Sequence, residues 1–353
     1  MLPETGPGGG SPQWTPLRGV ALAAGVVVLA VLLARIGPAA VLHSLTAIGW
    51  RFLLVLPLGG AAAALNTLSW SLATAPERRV AFGALLRMLL AGEAVNALAP
   101  VGFVGGELVR YAALSRRIPA AEAVASVTVA ATAQFAGQVL FVLSGVPVAL
   151  TLLQLPGWRA GVLAVSAGAG LLLALVLCLA CSPRPLDGLA RSLTRFAWVA
   201  RLRGRLSPAA RQALRGTAGA VRRRPADFGL SVAAAFAAWQ VGVVETLVVL
   251  RLLGRPAGVA RALAIEVLAV TIEGIFFFVP ARLGTLEGGR VAACVAVGLD
   301  PAAGLVLGVV RRARDLVWAV PGLVLLGALK PRYSLERRPG TPGVIHGGPP
   351  LPD

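Results

Sequence analysis

Charge is the first thing this chain lacks. Asp, Glu, Lys and Arg make up 14% of its 353 residues, where a soluble domain carries roughly 25%. With 57% hydrophobic residues and a mean hydropathy of +0.80, that scarcity excludes a soluble enzyme and a disordered chain. Cysteine is limited to Cys178, Cys181 and Cys294, and histidine to His43 and His346. A disulfide scaffold is excluded, no His/Cys group has metal-ligand spacing, and neither metal nor cofactor is expected. Cys178 and Cys181 close an apolar run and read as lipid-facing thiols rather than a redox pair. No D-D-x-x-D pattern, intramembrane histidine or Ser/His/Asp set marks a catalytic centre, so no catalytic residue is assigned. Lysine occurs once, at Lys330, so arginine carries almost all of the +18 net charge. Paired with abundant Ala, Leu and Gly, that preference fits a GC-rich bacterial genome. Without a recognisable binding fold, it does not point to a nucleic-acid partner.

What is present is a series of apolar runs near the ~20 residues that span a bilayer. Eight occur, at 19–35, 52–74, 80–99, 120–150, 159–181, 228–250, 257–279 and 302–329. Met1 to Pro16 holds no Lys or Arg, so no basic n-region precedes the first run, which argues against a cleaved signal peptide. Residues 1–16 and 331–353 read as solvated tails around one transmembrane domain, 17–330. The long polar interruption, 182–227, holds eleven arginines against Asp187 and Asp227. Cytoplasmic loops are rich in Arg and Lys, so this loop faces the cytoplasm and both termini follow it. Within it Leu186, Leu189, Leu193, Phe196 and Ala200 keep helical spacing beside Arg191, Arg195 and Arg201. That pattern suits a helix lying on an anionic membrane surface.

This orientation requires residues 80–117 to return to the side they left, because Arg116 and Arg117 precede the next span. The return falls at Pro100 and Gly102, with Gly105 and Gly106 beyond; a second falls at Pro280, with Gly284, Gly288 and Gly289 beyond. Proline removes a backbone donor and breaks a helix, and glycine permits a reversal. The first break reads Glu93-x6-Pro100-x6-Glu107-x2-Arg110 and the second Glu273-x6-Pro280-x6-Glu287-x2-Arg290, all at an offset of 180. This is an internal duplication, with repeat 1 about 80–150 and repeat 2 about 257–329. Three spans separate the two hairpins, and an odd number inverts the second. The expected fold is an all-α polytopic membrane protein of about eight hydrophobic helices, its two Pro/Gly-broken hairpins related as an inverted internal repeat.

A charge at membrane depth costs ~2.5–3.5 kcal/mol on insertion scales, so it faces a polar cavity or a partner. Glu107/Arg110 and Glu287/Arg290 are three apart on one helix face, so each pair is expected to neutralise itself. A half-helix N-terminus with glycines, Arg110, Arg290 and the extra Arg282 would suit a phosphate or another anionic head group. Glu93 and Glu273 either balance these arginines or carry a proton. The alternative is that the carboxylates only hold the hairpins together as buried ion pairs. Asn96 reads as a local hydrogen-bonding brace. Arg311, Arg312, Arg314 and Asp315 share one helix face, with Asp315 expected to pair with Arg311, and read as a cavity wall for an anionic lipid. These charged positions, from Glu93 to Asp315, are the candidate substrate-binding residues.

The stretches Glu93–Arg110 and Phe276–Arg290 resemble the lysylphosphatidylglycerol synthase transmembrane, or flippase-like, family over about residues 15–330. The second stretch, with Arg311 to Trp318, is similar to the subgroup encoded beside hopanoid biosynthesis genes. The resemblance implies a multi-pass protein of the bacterial inner membrane that moves, or helps move, a lipid between leaflets. Its expected partners are membrane lipids and lipid-biosynthesis proteins. The best-known members carry a soluble aminoacyl-transfer domain after the membrane part. With some two dozen residues after the last span here, synthesis of aminoacylated lipid is not expected. Two other readings stay open. One is a non-catalytic partner in a lipid-synthesis complex that docks through 182–227. The other is an intramembrane lipid-modifying enzyme that uses its glutamates.

Overall fold

A computed structural model describes residues 48–74, 80–98, 104–154, 156–181, 221–255, 257–276 and 282–328, with Thr46, Gly219 and Val279. The expected span 19–35, both tails, the 186–200 stretch and the break residues Pro100, Gly102 and Pro280 lie outside the described residues, as do the Cys178 and Cys181 side chains.

All regular structure among the described residues is helical. A short 3-10 segment, Gly49–Leu54, leads into α1 (Leu56–Ala73), where Pro57 occupies the first turn. Its missing N–H is one the first turn leaves unpaired anyway. Then come α2 (Phe82–Leu98), α3 (Val104–Leu114), α4 (Ala120–Leu152), α5 (Pro156–Cys181), α6 (Pro225–Leu252), α7 (Val259–Ile275), α8 (Thr285–Ala296) and α9 (Pro301–Ala328). Asp300 caps α9, its Oδ1 accepting the Ala303 N–H at 3.0 Å. Every expected run within the described residues is a helix here, and the two breaks divide their hairpins into α2/α3 and α7/α8.

Lengths separate two kinds of helix. At ~1.5 Å per residue, the 33 residues of α4 and 28 of α6 exceed the ~30 Å hydrocarbon core. The 11 residues of α3 and 12 of α8 span only about 16 and 18 Å. Three described segments are long and apolar enough to cross a membrane: Gly49–Ala73, Ala120–Leu152 and Pro225–Leu252. α9 is 28 residues long but carries Arg311, Arg312, Arg314 and Asp315 midway along it.

The packing is reciprocal. α2, from the first hairpin, packs on α9, whereas α7, from the second, packs on α4; α1 and α6 pack on each other between them. α7 is buried around its whole circumference from Ala264 to Val270, the mark of a central helix. α8 sits directly on the α9 backbone. A Cβ on Gly304 would lie 2.6 Å from the Arg290 carbonyl oxygen, and one on Gly308 would lie 2.8 Å from the Glu287 Cα.

Contacts at the hairpin feet establish which end of the bundle each occupies. Val80 and Ile118, flanking the first hairpin, cluster with Ala73 at the end of α1, which also meets Val221 and Phe228 at the start of α6. The second hairpin is held at the other end of α6. There Arg255 bridges Asp300 at 2.5 Å, and the Gln154 N–H donates to the Ala296 carbonyl at 2.9 Å. In a background with the three native cysteines replaced, Arg116→Cys and Ala260→Cys, both exposed, are expected to react with an impermeant maleimide from opposite faces of the membrane. Labelling of both from one face would contradict a bundle with oppositely placed hairpins.

Candidate functional site

In the first hairpin, Arg110 on α3 reaches across to Glu93 on α2 and back one turn to Glu107, at 2.6 Å. The arginine is enclosed, its side chain 5% exposed, while Glu93 is 55% exposed. The Arg110 guanidinium lies 5.9 Å from the Trp70 ring centroid, within cation–π range. Trp70 is itself fixed by donating its Nε1–H to Ser126 Oγ at 3.1 Å. Asn96 braces the two pieces of the hairpin, its Oδ1 accepting the Gly106 N–H at 2.8 Å. There the backbones touch: a Cβ on Gly106 would lie 2.6 Å from the Gly92 carbonyl oxygen.

The second hairpin makes the same bridge. Arg290 on α8 donates to Glu273 on α7 at 2.6 Å, and both bridges join residues 17 apart. From here the two sites diverge, because the second is embedded in further charge. Arg290 also lies 3.6 Å from Glu266, which bridges Arg311. Arg311 reaches Glu245 on α6 at 3.2 Å, and Glu245 also bridges Arg314. Arg314 pairs with Asp315 at 2.6 Å, Asp315 faces Arg282 at 3.5 Å, and Arg282 returns to Glu273 at 3.3 Å. The path closes: four carboxylates and four guanidiniums alternate in a ring drawn from α6, α7, α8, α9 and the break. Thr246 donates to Glu266 at 3.0 Å, and Gly242 makes the space. A Cβ there would lie 2.7 Å from Glu266 Oε1 and 3.1 Å from Arg311 Nη2.

Beside the ring stands one more pair. Arg312 bridges Glu287, and Glu287 Oε2 accepts the Gly284 N–H at 3.0 Å, capping α8. Gly284 has a φ of +71°, a left-handed conformation that only glycine adopts without penalty. It is the residue that turns the chain into the half-helix.

Several expectations need correction. Glu287 does not neutralise Arg290: it is occupied by Arg312 and the Gly284 N–H, and Arg290 turns to α7 instead. Only the Glu107/Arg110 pair forms as expected. Asp315 pairs with Arg314 and Arg282, because Arg311 points towards α6 and α7, where two carboxylates await it. Gly105, Gly106, Gly288 and Gly289, which follow the returns, lie inside α3 and α8. Among the described residues the turn itself falls on Gly284. The α9 face is not a wall of free positive charge, since Glu245, Glu266, Glu273, Glu287 and Asp315 meet Arg282, Arg290, Arg311, Arg312 and Arg314.

Two of those five carboxylates, Glu245 and Glu266, went unnoticed in the sequence. Both are almost fully buried, and both interrupt apolar runs read simply as spans. The cost argument applied to the arginines flags them equally. They escaped because neither is duplicated: 180 residues earlier stand Leu65 and Leu86.

Breaking a buried ion pair by removing one partner costs about 3–5 kcal/mol, because a desolvated charge is left behind. Glu266→Ala is therefore expected to lower stability in detergent by about that amount. Gly242→Ala is expected to cost about 1–3 kcal/mol by overpacking, and Arg255→Ala at the exposed Asp300 bridge less than about 1 kcal/mol. Denaturant unfolding of the purified variants checks the ranking, and equal stability of Glu266→Ala and Arg255→Ala would contradict it.

No curated protein and no solved structure matches the chain. A family model does: that of the lysylphosphatidylglycerol synthase TM region matches residues 18–322, and the chain belongs to this family of membrane proteins concerned with lipid metabolism or transport.

Proposed function

We propose that the protein moves a polar lipid from one leaflet of the bacterial inner membrane to the other unchanged, its head group passing between the two broken hairpins. The observation that carries this reading is the Glu–Arg bridge made twice, Glu93–Arg110 and Glu273–Arg290, on half-helices too short to cross. Scaffolding alone is served more cheaply by apolar packing, because a desolvated ion pair often contributes less than hydrophobic residues of the same volume. Charges retained at this depth mark polar pathways. The contacts that hold the hairpin feet at opposite ends of α6 support an inverted arrangement. In it one hairpin enters from the cytoplasm and the other from outside, with both termini cytoplasmic, and broken helices meeting near the midplane form the site in many transporters. The lipid is polar or anionic, and the resemblance of Phe276–Arg290 and Arg311–Trp318 to the hopanoid-associated subgroup suggests a hopanoid or its polar precursor.

Reconstitution tests it. Vesicles containing the protein and a fluorescent phosphatidylglycerol are quenched from outside with dithionite. Wild type is expected to expose inner-leaflet lipid at least tenfold faster than empty vesicles. Arg110→Gln/Arg290→Gln is expected to fall back to the empty rate while remaining folded by gel filtration. Undiminished movement in the double variant would reduce these bridges to scaffolding. Recovery of the lipid with altered mass would replace transport by chemistry.

A further inference from the structure

The four guanidiniums of the ring are not equivalent. The side chains of Arg290, Arg311 and Arg314 are 2%, 11% and 14% exposed, whereas that of Arg282 is 36% exposed. Arg282 also holds its partners loosely, at 3.3 Å from Glu273 and 3.5 Å from Asp315. The same two carboxylates are held at 2.6 Å by Arg290 and Arg314. Its backbone is unusual as well. At a φ of +52° it is the one non-glycine residue with positive φ among the described residues, and such strain persists only where neighbours enforce it. Here they do. Arg312 donates to the Arg282 carbonyl oxygen at 3.0 Å and is itself held by Glu287, which also fixes Gly284 two residues on. The backbone of Arg282 is clamped while its side chain is the loosest in the ring.

We propose that Arg282 is the head-group receptor of this site: its guanidinium leaves Glu273 and Asp315 to take two oxygens of a phosphate. A closed ring makes this exchange possible. Each charge has two partners, so one member can depart without leaving any carboxylate alone. Glu273 keeps Arg290, and Asp315 keeps Arg314. Arg290 and Arg311 are enclosed and cannot meet a ligand without wider movement. A guanidinium matches a phosphate in a bidentate fork, and the match strengthens away from water. The pair Arg312–Glu287 stays in place during the exchange and holds the backbone ready for the side chain to return. The phosphate is taken here as that of a lipid, which rests on the transport reading. Phosphate recognition by Arg282 stands or falls separately.

The test uses wild-type protein in detergent, so it does not depend on a variant folding. Phenylglyoxal, which modifies accessible arginines, is followed by peptide mass spectrometry. The added probes are dihexanoyl phosphatidylglycerol, glycerol 3-phosphate or dihexanoylglycerol. Arg282 is expected to react at least fivefold faster than Arg290, Arg311 and Arg314. Phosphatidylglycerol should slow that reaction at least threefold, and the phosphate-free dihexanoylglycerol should not. Protection by glycerol 3-phosphate to the same degree would support phosphate recognition and assign it to free phosphate esters. In direct binding, Arg282→Gln is expected to weaken the phospholipid at least tenfold, and Arg282→Lys less. Reaction of Arg282 no faster than its neighbours, absence of phospholipid protection, or equal protection by dihexanoylglycerol would each overturn the proposal. Binding that depends on Arg282 without any lipid movement in vesicles would leave this inference standing and remove the transport reading.

Discussion

An arginine in the middle of a bilayer has to bring its own counter-charge, and much of this molecule is arranged to meet that demand. Isolated, each guanidinium would cost several kcal/mol. Paired with a well-placed carboxylate, it becomes tolerable, provided the hydrogen-bonding geometry is good and both lone pairs and protons find partners. The second half meets the requirement collectively. Glu266 faces two guanidiniums, Glu245 two, Glu273 two, and Asp315 two. Sharing keeps every charge compensated even though the side chains come from four helices and the break.

That sharing dictates the packing around it. Helices approach closely enough to pass charges across only where the intervening surface is small. Gly242 lets the Glu266–Arg311 pair lie against α6, and Gly304 with Gly308 lets α8 rest on α9, which brings Arg290 and Glu287 within reach of the charged turn. Apolar side chains supply the surrounding contacts, from Ala262 to Val270 on α7 and from Ala303 to Val310 on α9. They also bury Glu245, Glu266 and Arg290 of the ring, and low polarity around an ion pair strengthens its attraction and raises the cost of separating it. The polar centre and its apolar jacket therefore depend on each other.

The helices, the two breaks and the duplicated Glu and Arg positions were legible in the sequence because each leaves a local mark, whereas which glutamate bridges which arginine was not. A long apolar run, a proline with nearby glycine, and a matched spacing need no knowledge of the rest of the chain. The partners of the arginines on α9 were not legible. Arg311 finds Glu266, 45 residues away, and Glu245, 66 residues away, and nothing local distinguishes those pairings from an i, i+4 pairing with Asp315. Helical spacing brings Arg311 and Asp315 to one face, yet tertiary neighbours compete for the same guanidinium and win. The same competition turned Glu287 from Arg290 to Arg312. Glu245 and Glu266 occur in one half only, so the internal repeat does not mark them.

The contrast between the halves bears on how such a protein could do work. The duplicated element, a glutamate on the entering helix bridged to an arginine on the returning one, is common to both hairpins and ties each broken pair together. The charges that α9 adds around it in the second half lack counterparts in the first: where α9 carries Arg311, Arg312, Arg314 and Asp315, α4 at an offset of 182 carries Val129, Ala130, Thr132 and Ala133. The first bridge opens through Glu93 to the molecular surface, whereas the second is enclosed by a ring whose least enclosed guanidinium belongs to the break. The shared bridge is the part of the frame that the two hairpins have in common. On the proposed transport reading, the asymmetric charge network gives a head group different partners at the two hairpins: one accessible bridge at Glu93 and a shared network around Glu273.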